Sequence, residues 1–132
     1  MLRYMLDTNI CIYLLTGRAA GLAERFEQAA GEISISAVTL SELWFGVEKS
    51  ARRDSNTDVL TAFVARLEIL DFTADAAQHY GELRAHLKRA GTPVGFHDMM
   101  IGAHARAADL TLVTNNRREF DRLPGLRVEN WV

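Results

Sequence analysis

The chain has 132 residues, of which 48% are hydrophobic and 24% charged, and its formal net charge is −2 at pH 7. These values predict a single globular domain over residues 1–132 that buries a core without disulfides. They exclude a protein that coats nucleic acid through bulk positive charge. The longest apolar run, residues 10–15, is too short to span a membrane, and the one cysteine forms no internal disulfide. Both features are typical of a cytoplasmic protein.

The first half of the chain alternates predicted strands and helices. The short apolar run Tyr4-Met5-Leu6 after Arg3 predicts a buried strand that ends at Asp7, and residues 33–36 and 68–72 predict two more strands. Apolar residues at helical spacing predict four helices here: one beginning near Ile10, one ending at Gly31, one over residues 39–50 and one capped by residues 54–57.

The second half continues the alternation. Thr73 and Gly91 bound the clearest predicted helix, and residues 92–95 break the pattern before a helix that starts near His97. Further elements are a strand at 111–113, a polar exit at 114–116, one helical turn at 117–120 and a last strand within 126–131. Alternating strands and helices predict an α/β fold with a mostly parallel sheet of about five strands, covered on both faces.

Acidic residues stand at the starts of several predicted helices. Taken singly, Asp7 is explained as a helix N-cap, Glu42 as half of a Thr39-x-x-Glu42 capping box, and Asp98 as a complement to a helix dipole. Glu119 is explained as a surface residue. If Asp7, Glu42 and Asp98 meet at one sheet edge, their repulsion raises their pKa values unless a cation binds. Carboxylate oxygens suit Mg²⁺ or Mn²⁺, so a metal site and a set of helix caps are the two open interpretations.

Other chemistries fit the sequence poorly. No glycine-rich phosphate loop follows a strand, and no serine or cysteine nucleophile motif occurs. Cys11 is interpreted as a small buried hydrophobic residue. The histidines fall in two pairs seven residues apart, which is unlike zinc-site spacing. Asp7-Thr8-Asn9 resembles the start of an aspartyl-phosphate phosphatase motif, but Asn9 stands where that mechanism needs a second carboxylate.

Several short motifs occur in a characteristic order. They are Met5-Leu6-Asp7-Thr8-Asn9, Leu40-Ser41-Glu42-Leu43, Asp98-Met99-Met100-Ile101, Leu112-Val113-Thr114-Asn115-Asn116 with Glu119-Phe120, and Glu129-Asn130-Trp131. Together they make nearly the whole chain resemble the PIN-domain ribonucleases, specifically VapC-type toxins of bacterial type II toxin–antitoxin systems. The resemblance implies a PIN-like three-layer α/β/α sandwich.

The resemblance also implies roles for the acidic residues. Asp7, Glu42 and Asp98 are the expected core acids, and Asp7 and Asp98 the expected ligands of Mg²⁺ or Mn²⁺. The family's fourth acidic position aligns with Asn116, which puts a two-metal site in doubt. Glu119, one turn away, is the candidate to supply the missing charge, and it completes the expected catalytic set.

Four further residues are expected around these acids. Thr8 and Asn9 are predicted to support Asp7, and Thr114 and Asn116 to contact a phosphate. Phe96 and His97 replace the proline–aromatic pair expected before Asp98, a departure that affects the substrate groove. Local basic groups occur at 49–53, 88–89 and 117–118, and each is also explained as a solvated helix end.

The implied function is toxin endoribonuclease activity on RNA. A tRNA is the expected substrate, and the closest-looking members suggest the anticodon stem-loop of initiator tRNA. The resemblance further implies a homodimer, a VapB-type antitoxin partner, and DNA binding only through the antitoxin complex. The alternatives are a catalytically degenerate PIN-like binding module, which Asn116 favours mildly, and a small phosphohydrolase, which Asn9 disfavours.

Overall fold

Five parallel strands form the central sheet in a computed structural model that describes residues 1–132. The strands are β1 (Tyr4–Leu6), β2 (Ile33–Ser36), β3 (Glu68–Leu70), β4 (Thr111–Val113) and β5 (Val128–Glu129). Their order across the sheet is β3-β2-β1-β4-β5, and every neighbouring pair is parallel. The predicted parallel sheet of about five strands is therefore confirmed.

Seven helices connect and cover the strands. They are α1 (Thr8–Thr16), α2 (Leu22–Gln28), α3 (Ala37–Glu48), α4 (Arg53–Val64), α5 (Ala74–Ala90), α6 (Phe96–Ala107) and α7 (Arg117–Phe120). Each predicted helix is present, although the predicted strands at 68–72 and 126–131 are shorter in the structure. None of the seven combines the length and apolar character needed to cross a bilayer.

The start of α3 differs from the sequence prediction. The Ser36 hydroxyl accepts a hydrogen bond from the Val38 N–H at 3.1 Å, so Ser36 caps the helix and Thr39 lies inside it. The predicted Thr39–Glu42 capping box is therefore wrong. Because no backbone N–H at the helix start occupies Glu42, its carboxylate is available to other partners.

Alternate residues of the inner strands face two separate apolar clusters. Tyr4 and Leu6 of β1 join the cluster formed with α1 to α4, whereas Met5 joins the cluster formed with α5 and α6. Leu112 and Val113 of β4 divide between the clusters in the same way. This alternation follows from the two-residue period of a strand. It confirms the three-layer α/β/α arrangement.

The strand order places a topological switch point between β1 and β4. The chain moves outward from β1 to β2 and β3, then returns to place β4 on the other side of β1. Ligand sites of open parallel sheets lie at such points, outside the carboxyl ends of the strands. Asp7 follows β1 and Thr114 follows β4, so both residues lie at this position.

Two helical glycines test how tightly α6 packs. A Cβ at Gly102 would overlap Leu123 and lie 3.6 Å from Phe120, both of which are buried, whereas a Cβ at Gly81 of α5 meets nothing within 4 Å. We expect Gly81→Ala to raise the free energy of unfolding by about 0.5–1 kcal/mol. We expect Gly102→Ala to lower it by about 1–3 kcal/mol through overpacking. Urea denaturation of both variants measures the two effects, and changes of the same sign would contradict this account.

Candidate active site at the carboxyl edge of the sheet

Asp7 is a buried carboxylate that connects three elements. It is only 3% exposed, and its Oδ1 accepts a hydrogen bond from the Ile10 N–H at 2.9 Å, which caps α1. Its Oδ2 accepts a hydrogen bond from the hydroxyl of Thr114, just after β4. Burial raises the pKa of Asp7, these two hydrogen bonds oppose the rise, and the charge of Glu42 adds to it. Asp7 is thus a helix cap and also part of an acidic cluster.

Glu42 of α3 is held by the first residue of α1. The Thr8 hydroxyl donates to Glu42 Oε1 at 2.8 Å. The oxygen of the same Thr8 hydroxyl lies 3.4 Å from Thr39 Oγ1. His97 Nδ1 lies 3.4 Å from Glu42 Oε2. The predicted support of Asp7 by Thr8 is therefore not observed, because Thr8 supports a different acid. The side chain of Asn9, the other predicted support, is exposed and makes no side-chain hydrogen bond.

Asp98 and Glu119 form a coupled acidic pair. Asp98 lies half-buried in the first turn of α6, and burial, the charge of Glu119 and a hydrogen bond to it raise the pKa of Asp98 to about 6. The charges of Asp7 and Glu42 add to this rise. Burial also acts to raise the pKa of Glu119, but hydrogen bonds from Gly95, Asn116 and Asp98 together lower it. The pKa values of the two acids are therefore shifted in opposite directions, upward for Asp98 and downward for Glu119.

Thr114 and Asn116 both hydrogen-bond to acids of the cluster. Thr114 is fully buried, donates to Asp7 and accepts from the Asn116 N–H at 2.9 Å. The Asn116 side-chain amide donates to Glu119 Oε2 at 2.8 Å. The predicted phosphate contact of Thr114 is not compatible with its burial. Asn116, at the position where a fourth acid was expected, instead orients Glu119.

Sequence reasoning missed one part of this arrangement. The Gly95 N–H donates to Glu119 Oε1 at 3.1 Å, and Gly95 is the N-cap residue of α6. The sequence predicts residues 92–95 as a break between helices and, with Gly91, as part of the family resemblance, but assigns Gly95 no role toward an acid. The available signal was their position before a helix, where backbone N–H groups lack partners within the helix.

The four acids come from four elements and interact through their charges. Their donor atoms are hard oxygens, and burial together with the charges of the other acids raises the pKa of Asp98, so the set fits a hard divalent cation. No three His, Cys, Asp or Glu side chains form a ready-made metal cage. Mg²⁺ does not require one, since proteins commonly hold it with one or two carboxylates and several waters. The catalytic and ligand roles of these residues stay predictions.

Comparison with known proteins identifies the family. The PIN domain family model matches residues 4–126. A tRNA(fMet)-specific endonuclease VapC from Shigella flexneri is 50% identical over 131 residues, which are 99% of each chain. The structure of DNA-bound VapBC from Salmonella typhimurium superposes with a TM-score of 0.96 at 47% identity, over 100% of both chains. The structure of VapBC2 from Rickettsia felis bound to a promoter DNA fragment superposes with a TM-score of 0.94 at 43% identity, over 99% of this chain and 100% of that chain. The chain belongs to the PIN-domain family, among its VapC members, and the PIN-like fold expected from the sequence is confirmed.

The raised pKa of Asp98 predicts a stability gain on removing its charge. A carboxyl whose pKa rises from 3.8 to about 6 on folding destabilises the fold when ionised. This penalty is absent below about pH 3.8 and complete above about pH 6. We therefore expect Asp98→Asn to raise the Tm of the protein in EDTA at pH 8, with a gain that shrinks toward pH 4.

Thermal melts across this pH range measure the effect. Asp58→Asn is the matched control, because Asp58 is an exposed acid of α4 outside the acidic cluster. A gain in Tm that is equal at pH 8 and pH 4 would show that the charge of Asp98 is not its cause.

Proposed function

We propose that this chain is a metal-dependent endoribonuclease that hydrolyses RNA phosphodiester bonds. The observation that carries the proposal is the cluster of four carboxylates, buried Asp7 with Glu42, Asp98 and Glu119, at the switch point of the sheet. The 50% identity to a protein named tRNA(fMet)-specific endonuclease supports a tRNA substrate, with the anticodon stem-loop of initiator tRNA as the first to test.

Asp7 and Asp98 are the proposed ligands of Mg²⁺ or Mn²⁺. Asp7 is fixed by two hydrogen bonds, and Asp98 would bind the cation as a carboxylate, the form it takes above its pKa of about 6. A divalent cation bound there would polarise a phosphoryl oxygen and lower the pKa of a bound water. Two carboxylates suffice for one Mg²⁺, so the proposal does not require an acid at position 116.

Glu42 and Glu119 are proposed to act on the attacking water and on protons. Thr8 holds Glu42 at Oε1, and Oε2, which lies 3.4 Å from His97 Nδ1, is the oxygen proposed to orient a water. Glu119 is kept ionised by its donors from Gly95 and Asn116, so it is suited to accept a proton at a carboxylate oxygen. The loss of an outer partner at a metal site lowers activity about 10–100-fold, so Thr8 and Asn116 also affect the rate.

Cleavage of total tRNA tests the proposal. We expect the wild-type protein to cleave tRNA with Mg²⁺ or Mn²⁺, to lose activity in EDTA and to regain it when the metal is restored. We expect Asp98→Asn to lose more than about 100-fold in rate, beyond the loss typical of an outer partner. Gel electrophoresis and sequencing of the fragment ends measure the rate and the cleavage position.

Asp58→Asn is again the matched control and should cleave at the wild-type rate. Cleavage in EDTA, or wild-type activity of Asp98→Asn, would contradict the metal mechanism. A folded wild-type protein that cleaves no RNA with any divalent metal would instead favour the catalytically degenerate binding module.

We further propose that the protein is the toxin of a toxin–antitoxin pair and acts in the cytoplasm as a homodimer. The structures of VapBC complexes from Salmonella typhimurium and Rickettsia felis, at 47% and 43% identity, support a VapB-type antitoxin partner. Both of those complexes are bound to DNA. In this system, DNA binding is assigned to the antitoxin complex, since the toxin chain carries a net charge of −2.

An apolar groove beside the acids fits such a partner. The groove has a volume of about 700 Å³ and runs between α1, α3 and α4 to Thr8, Glu42 and His97. Ile12, Phe45 and Val59 line it and are 39%, 65% and 50% exposed, which is unusual for large apolar side chains. An amphipathic antitoxin helix would bury these residues, and a basic side chain on it would neutralise the acids.

Charged substitution in the groove tests the antitoxin contact. We expect Val59→Glu to lower the affinity for the co-expressed VapB-type antitoxin more than about tenfold, because it places a charge in an apolar contact. Ile69→Glu is the matched control, since Ile69 is 41% exposed on β3 and does not line the groove. Calorimetric titration of each variant measures the affinity, and equal losses would exclude the groove as the contact surface.

A further inference from the structure

Phe96 is an exposed aromatic side chain next to the acidic cluster. It is the first residue of α6 and is 61% exposed. It precedes Asp98 by two residues, so their Cα atoms lie within about 7 Å of each other. The apolar clusters on the two sides of the sheet do not include Phe96, so its exposure has no explanation in the packing of the fold.

A guanidinium group covers one face of the Phe96 ring. Arg84 Cζ lies 4.9 Å from the ring centroid, a distance typical of a cation–π contact. Arg84 projects from α5 and forms no ion pair with a carboxylate. The contact orients the ring and leaves most of its surface open to solvent.

A cavity of about 390 Å³ adjoins the ring. It lies between the end of α5, residues 91–95 and the start of α6, and no acidic residue lines it. Leu87, Val94 and Met99 form its buried apolar wall, while Lys88 and Arg84 bring positive charge. Lys88 also complements the dipole at the end of α5, but that role does not require a position beside an aromatic ring.

The combination of a stacking surface and unpaired cations points to single-stranded nucleic acid. Aromatic side chains stack unpaired bases, and arginine and lysine neutralise the adjoining phosphates. Building on the proposed endoribonuclease function, we propose that Phe96, Arg84 and Lys88 form a subsite that stacks one unpaired RNA base beside the scissile phosphate. The subsite would hold a loop nucleotide while the neighbouring backbone lies against the acids.

A second copy of the chain is a less suitable occupant. In a twofold-symmetric contact centred on this cavity, Arg84 and Lys88 of both copies would lie near one another, and no acidic residue lines the cavity to offset them. Like charges held close together destabilise such a contact. An RNA strand removes this repulsion, because its phosphates supply the missing negative charge.

Binding of a short RNA to an inactive protein tests the subsite separately from catalysis. The probe is a single-stranded heptaribonucleotide with a central 2-aminopurine, added to Asp98→Asn protein in EDTA so that no cleavage occurs. Fluorescence anisotropy gives the affinity, and quenching of the 2-aminopurine reports stacking. We expect Phe96→Leu to lower the affinity about tenfold and to remove the quenching, and Phe96→Tyr to retain both.

The salt dependence separates the role of the cation from that of the ring. We expect Lys88→Gln to reduce the slope of log affinity against log salt by about 0.7, the value for one phosphate contact on a single strand. Phe96→Leu should leave this slope unchanged. Arg52→Gln is the charge control, because Arg52 is exposed and lies outside this cavity.

The outcomes distinguish this inference from the proposed function. If wild-type protein cleaves tRNA but Phe96→Leu binds the probe with unchanged affinity and quenching, the subsite is wrong and the function stands. If Phe96 governs probe binding but no metal supports cleavage, the function is wrong and the subsite stands. Failure to bind the probe at low salt, or a change only in the sedimenting mass of Phe96→Leu, would overturn the subsite.

Discussion

The hydrogen bonds of Asp7 are the contacts on which the candidate site depends. One carboxylate oxygen accepts from the Ile10 N–H and the other from the Thr114 hydroxyl, so this side chain joins the end of β1 to the start of α1 and to the end of β4. A buried carboxylate without such donors destabilises a fold by several kcal/mol. The same bonds hold the acid at the point where the strand order reverses, near Glu42 of α3 and Asp98 of α6.

The sequence contains enough to predict the architecture and the position of Asp7. An apolar strand that ends at an acid is visible without tertiary information, and alternating helices and strands limit the fold to a parallel sheet. The long-range hydrogen-bond partner of Asp7, in contrast, cannot be predicted from local sequence. Thr114 lies 107 positions away, and its contact exists only because β4 pairs with β1. Thr8 is next to Asp7 in sequence, yet as the first residue of α1 it directs its hydroxyl to Glu42 and not to Asp7.

Helix capping shows how a local rule fails and why the failure matters for the site. Thr39 and Glu42 satisfy the capping-box spacing, but Ser36 is an equally good cap three residues earlier. The earlier start lengthens α3 and buries Thr39 completely. Glu42 then lies in the second turn, where no free backbone N–H competes for its carboxylate. The packing of α3 against the sheet, which a local motif does not encode, therefore frees an acid for the cluster.

The distribution of charge explains how an acidic chain is able to act on a polyanion. Four carboxylates at one edge repel a phosphate backbone, and the proposed divalent cation would offset that repulsion. The protein has too little net positive charge to provide attraction over its whole surface. Attraction must therefore be local. Arg84 and Lys88, which line the cavity at the start of α6, supply such local positive charge. In the proposed subsite, Phe96 lies two residues before Asp98 on α6, so a base stacked there would keep the adjoining phosphate near the acids.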